Sequence, residues 1–199
     1  MQFNLQEIQM VLQQKGYLFF DDHLPFNLNI IGVRNSNTKA NTFDDVLYLI
    51  YRDNDLELQC HVFPITTDPG TFYLKNPMNK KGTAILMAGQ YIGSHRIGLH
   101  HNDYDALTQR TALPVWRDNN KDNQLDKNET TDIGFFGINI HRSNPNGISQ
   151  LVNKWSAGCQ VFQNINDFNL FINIAKKAKQ LNGNSFTYTL LDEQDFINY

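Results

Sequence analysis

The 199 residues carry 17 Lys and Arg against 20 Asp and Glu, a formal net charge of -3, with 41% hydrophobic and 19% charged residues. This is the balance of a globular chain, long enough for one packed domain over 1–199, and without a long basic run it excludes nucleic acid as the main partner. No apolar run approaches the ~20 residues of a membrane span, and two distant cysteines, Cys60 and Cys159, make neither a disulfide framework nor a zinc spacing.

Residues 1–20 read as a helical segment. MQFNLQEIQMVLQQKGY lacks the basic region and continuous apolar core of a secretion signal. The reading is therefore a chain synthesised in the cytoplasm without an export tag, which reaches any substrate beyond the membrane only by release or delivery. Asn4 with Glu7 forms a capping-box pattern, Phe3 with Ile8 a hydrophobic staple, and Gly16 stops the helix. From there to about residue 163 the chain reads as strands and turns. DVLYLIYRD (45–53) and LELQCHVF (56–63) flank Asp53, Asn54 and Asp55, which predicts a hairpin. Leu56, Leu58, Cys60 and Val62 alternate onto one face, which predicts a core position for Cys60. Further strands are expected at 84–91, 106–116 and 133–141, with loops at 66–70 and 76–82.

GQYIGSHRIGLHH carries His95, His100 and His101, which read as surface or cleft-rim histidines because no carboxylate stands at helical spacing to make a metal site. Tyr91 and Tyr104 are candidates for a substrate groove. DNNKDNQLDKNE (118–129) then fits a calcium loop. Asp118, Asn120 and Asp122 occupy positions 1, 3 and 5, Gln124 position 7, Leu125 the apolar position 8, Asp126 position 9 and Glu129 position 12. Asn123 replaces the usual glycine, a residue type that tolerates the left-handed conformation. A solvated turn rich in Asn and Asp is the plain alternative, and the ligand types favour a structural calcium ion.

GFFGINIH (134–141) alternates as a strand, with Phe136, Ile138 and Ile140 on one side and Asn139 and His141 on the other. One loop on comes WSAGCQVF (155–162), in which Ser156, Ala157 and Gly158 lead into Cys159, eighteen residues after His141. Nucleophilic catalysis suits this arrangement. A thiol needs a proton acceptor, which histidine supplies, and small residues let the backbone turn while its N–H groups receive an oxyanion. A cysteine and a histidine alone leave open a buried thiol and an edge histidine. After Cys159 the period changes, with Asn164 or Asn166 capping a helix whose inner face is Phe168, Phe171, Ile172 and Ala175 and which ends at Gly183. SFTYTLL (185–191) closes the chain as a strand.

HRSN (141–144) followed by SAGC (156–159) resembles the L,D-transpeptidase catalytic signature, a histidine, a loop, then S-x-G-C. The resemblance directly covers about residues 84–163. Over most of its length the chain is also similar to phage and prophage proteins in which GQY, RDNN, GINIH and WSAGCQVF occur in this order. What the resemblance implies is an α+β, predominantly β domain with an N-terminal helix and one helix after the nucleophile strand. It implies Cys159 as nucleophile, His141 as general base, Ser156 and Gly158 shaping the turn, and the Cys159 N–H in the oxyanion hole. It further implies peptidoglycan stem peptides as partner and no cofactor required for catalysis. Arg142, Tyr91, Trp155 and Asn139 are the candidate substrate-binding residues. The chain departs from the pattern at Ala157, where histidine is frequent, at Asn144, where glycine is frequent, and at Val161, where an arginine is usual. The last departure favours hydrolysis of stem peptides over cross-linking. A cross-linking transpeptidase and an inactive wall-binding or virion structural protein are the alternatives. Phage lysis or effector export are the settings expected.

Overall fold

In the computed structural model, which describes residues 2–127 and 130–197, the chain is α+β and predominantly β. Eight strands close a barrel and three form a separate small sheet. In chain order the barrel takes β1 (Asn29–Arg34), β2 (Asp45–Arg52) and β3 (Leu58–Thr66), and the small sheet begins with β4 (Thr83–Leu86). Then come β5 (Gly89–His100) and β6 (Tyr104–Gln109) in the barrel, and β7 (Leu113–Asp118) and β8 (Thr130–Gly134) in the small sheet. β9 (Ile140–Arg142), β10 (Gln160–Phe162) and β11 (Phe186–Asp192) complete the barrel. Its order is β1-β11-β5-β6-β9-β10-β3-β2, and the small sheet runs β4-β7-β8. Two barrel pairs are parallel, β1 with β11 and β9 with β10.

The N-terminal helix α1 (Leu5–Gln14) forms as its caps dictate. Asn4 accepts the Glu7 N–H, the Glu7 side chain accepts the Asn4 N–H, and Gly16 leaves the helix at φ +68°. Its buried stripe of Ile8, Val11 and Leu12 packs on Ile31 and Val33 of β1 and Tyr48 and Ile50 of β2. The opposite faces of these strands, with Ile30, Leu47 and Leu49, enter the main core. Covered on both sides, β1 and β2 read as continuous apolar runs instead of alternating ones. The long helix α3 (Ile165–Asn182), capped by Asn164 and ended at Gly183, lays Phe168, Phe171, Ile172, Ala175 and Ala178 into that core. The five-residue α2 (Thr71–Lys75), which sequence did not predict, connects β3 to the small sheet. Among the described residues no helix is long and apolar enough to cross a membrane.

Cys60 reverses the expectation. It is exposed, as are Leu56 and Leu58, while Phe63 and Ile65 of the same strand enter the main core. The alternation is real, but near the hairpin tip its apolar face lies beyond the core. The three long strands expected at 84–91, 106–116 and 133–141 each divide, into β4 and β5, β6 and β7, and β8 and β9. GFFGINIH is strand only at its ends, with Gly137 at φ +72° between them, although Ile138 and Ile140 do enter the main core and Phe136 packs against it.

Candidate functional site

A cavity of about 230 Å³ brings Cys159 and His141 together. Its lining includes Tyr73 of α2, Met78, His100, His101, Phe136, Asn139, Trp155 and Ala157. Asn139 and Trp155, two of the candidate substrate-binding residues, line the same cavity as the cysteine. Parallel pairing sets the frame, since Val161 stands opposite His141 in the β10–β9 register and the Gln160 N–H donates to the Asn139 carbonyl at 2.9 Å. Cys159, one residue earlier, therefore stands beside Asn139.

The turn before Cys159 is built from small residues for stated reasons. Gly158 has φ +120°, and a Cβ there would sit 2.3 Å from the Ala84 carbonyl oxygen of β4. Ser156, fully buried, receives the Gly158 N–H on Oγ at 3.1 Å and donates from Oγ to the Cys159 carbonyl at 2.9 Å. The Gly158 N–H is thereby occupied, and the Cys159 N–H has no partner among the described residues. The thiol donates to the Gly137 carbonyl at 3.1 Å and faces the Asn139 N–H at 3.5 Å. Burial pushes this thiol up to about 11, against a smaller opposing effect of the Asn139 N–H.

His141 is buried on β9, with its Nδ1 2.8 Å from the Arg142 carbonyl and 3.3 Å from the Tyr104 hydroxyl; the carbonyl can only accept, so that contact is a hydrogen bond when Nδ1 carries the proton. The Tyr104 hydroxyl reaches the same carbonyl at 3.4 Å. Burial above all, then the neighbouring His100, lowers His141 to about 3. The His100 ring stacks on the His141 ring with centroids 4.0 Å apart, and His100 Nδ1 accepts from the Asn139 amide at 3.0 Å.

Sequence reasoning set His95, His100 and His101 at the surface or rim, and two of the three are buried. His95 is fully buried, its Nδ1 bonded to Ser94 Oγ at 2.8 Å and its Nε2 to the Ile138 carbonyl at 3.0 Å, which anchors the strand approach to His141. His100 is 8% exposed and lines the cavity. Gly93 at φ +58° and a register shift between β11 and β5 break the alternation that would have revealed this. Tyr91 and Arg142 do not line the cavity. The Tyr91 hydroxyl donates to the Met87 carbonyl and its ring packs on the main core. Arg142 stacks its guanidinium over Tyr104 at 3.8 Å and donates to the Ser143 carbonyl. Residues 71–75 supplied no pattern long enough to mark Tyr73 as a cavity residue.

Of the 118–129 segment, residues 118–127 are described; they continue from β7 and none of them lines the cavity. Asp118 is 1% exposed, Asn120 and Asp122 are exposed and Asp126 is half-buried. The Asp126 N–H donates to Asp118 Oδ2 at 3.1 Å, and the Gln124 N–H to Asp122 Oδ1 at 2.7 Å. The left-handed residue is Lys121 at φ +65°, and Asn123 does not take that role. Glu129 lies outside the described residues. Among the described residues no three His, Cys, Asp or Glu side chains stand assembled as a metal cage.

Compared with protein-family models, curated proteins and solved structures, the chain matches none.

Proposed function

We propose that the cavity hydrolyses peptidoglycan stem peptides through a Cys159 thioester, with His141 as general base. The observation that carries the reading is the His141 Nδ1 hydrogen bond to the Arg142 carbonyl, in a histidine that shares a cavity with Cys159. With Nδ1 donating, Nε2 keeps the lone pair that a proton acceptor needs. Burial holds the imidazole low and the thiol high, so the pair rests uncharged and the proton moves as Sγ attacks. Sγ adds to the carbonyl carbon between the L-centre and D-Ala, and its proton passes to Nε2. The departing amine takes that proton. Water, deprotonated at the same nitrogen, then cleaves the thioester and restores the thiol. The unoccupied Cys159 N–H is the turn's donor for the developing oxyanion.

The substrate class rests on the HRSN and SAGC signature together with the shape of the site. A second cavity of about 270 Å³ shares Tyr73, Met78, Phe136 and Ala157 with the first, giving a groove that suits an extended peptide. Val161 is fully buried in β10, so that position offers no cation to an incoming acceptor, and water is the simpler one. Such an enzyme meets its substrate after release or delivery, in phage lysis or as an exported effector. Purified muropeptides analysed by mass should lose a terminal D-Ala or, if dimeric, fall to halves. Cys159→Ala should cut the rate by at least ~10³-fold. New dimers would replace hydrolysis by cross-linking, and unchanged muropeptides would leave a wall-binding or virion structural role and overturn the proposal.

A further inference from the structure

We infer that the loop from Asp118 to Asp126 binds a calcium ion, independently of the cavity and of its chemistry. Two observations meet there. The first is the alternation of hard oxygen donors, Asp118, Asn120 and Asp122, then the Gln124 carbonyl and Asp126, at the spacing that wraps a cation in a tight turn. The second is Asp118 itself. It is 1% exposed, and its Oδ1 is buried with no hydrogen-bond partner among the described residues. Its other oxygen is bound to the Asp126 N–H, so the carboxylate is held against the loop. Burying an unpaired carboxylate oxygen is costly, and a cation is the partner that removes the cost.

The surroundings add to it. The negative charges of Asp126 and Asp122 stand near Asp118, with the Asp126 and Asn120 N–H groups turned towards it. The Asn120 amide nitrogen bridges the Asp122 and Asp126 carboxylates, occupying with its partial positive charge the place between them. Asn120 Oδ1 accepts the Asp122 N–H at 3.1 Å, so turning the amide to present Oδ1 to an ion exchanges that bond and the two carboxylate bonds for ligation. Oxygen donors alone, flexible and with up to three negative charges, suit calcium better than zinc, which prefers nitrogen and sulfur, or magnesium, which demands strict octahedral geometry.

The test is thermal unfolding of the whole chain in chelator, in calcium and in magnesium. Calcium at about a hundred times its dissociation constant should raise the melting temperature by roughly 5–10 °C, and magnesium should raise it less. Terbium offers a direct reading, because Trp116 packs against the cluster that holds Leu125 of the loop and should sensitise its luminescence. Asp122→Asn with Asp126→Asn, both at positions that are not fully buried, should leave the melting temperature in chelator within a few degrees of wild type and abolish both signals. Asp118→Asn keeps the buried shape while removing the charge, and should also abolish the calcium shift. Equal melting in chelator and millimolar calcium without terbium luminescence would overturn the site, as would a full calcium shift in the Asp122→Asn, Asp126→Asn protein.

Discussion

Gly158 is the residue through which the small sheet touches the turn bearing Cys159. Any side chain there meets the Ala84 carbonyl oxygen, an atom of the backbone that cannot rotate aside, in a conformation that L-residues avoid. Gly158→Ala should therefore destabilise the protein by roughly 2–4 kcal/mol, from overpacking and left-handed strain together. Urea denaturation checks it, and a loss below about 0.5 kcal/mol would mean that the turn relaxes freely. The glycine, the buried Ser156 and the cysteine were legible as a motif because the small residues that make a sharp turn are few. Cys60 was misread for the converse reason. Alternation gives two faces of a strand but does not say which one the rest of the chain covers, and the covered face of β3 proved to be that of Phe63 and Ile65. His100 was invisible in another way, since its orientation depends on the irregularity around Gly93 and on pairing with a strand some ninety residues later.

Elements with a local cause were legible and elements with a distant cause were not. α1 is the clearest instance of the first. Asn4→Ala should remove the bond to the Glu7 N–H and cost about 1 kcal/mol, measurable as a drop in denaturation midpoint. Because Phe3, just outside the helix, stacks on Phe196 with centroids 3.7 Å apart, the helix should remain docked and the transition cooperative. α3 was legible by the same logic of caps and a 3.6-residue stripe. α2 was not, because five residues after Gly70, with no side-chain cap, lie below what local preference can specify. The three fused strands share one physical explanation. β4 to β5, β6 to β7 and β8 to β9 are the places where the chain passes between the small sheet and the barrel. Strand propensity continues across each passage, while the change of hydrogen-bond partner is decided by residues far away.

For the molecule as a whole, three histidines buried uncharged make stability depend on acid. Burial holds His95 and His100 at about 4 and His141 at about 3, against about 6.5 when the chain unfolds. The unfolded chain thus takes up protons that the folded one refuses, and stability must fall as pH drops from about 6.5 towards 4. His95, fully buried, contributes on the order of 3 kcal/mol across that range. His95→Gln should flatten the pH dependence of the urea midpoint relative to wild type, which separates this histidine from carboxylates titrating nearby. Parallel slopes in the two proteins would show that His95 does not titrate as its burial requires. The barrel itself has a consequence in time. β1 pairs with β2 and β11, so residues 29–34 find their second neighbour only in residues 186–192. During translation β9 and β10 emerge earlier, yet the ring they belong to stays open, with β1 and β5 each missing a neighbour, until the last strand leaves the ribosome. A chain interrupted before Phe186 would carry Cys159 and His141 without the closed wall behind them, so premature products of synthesis should be inert and exposed to proteolysis instead of partly active.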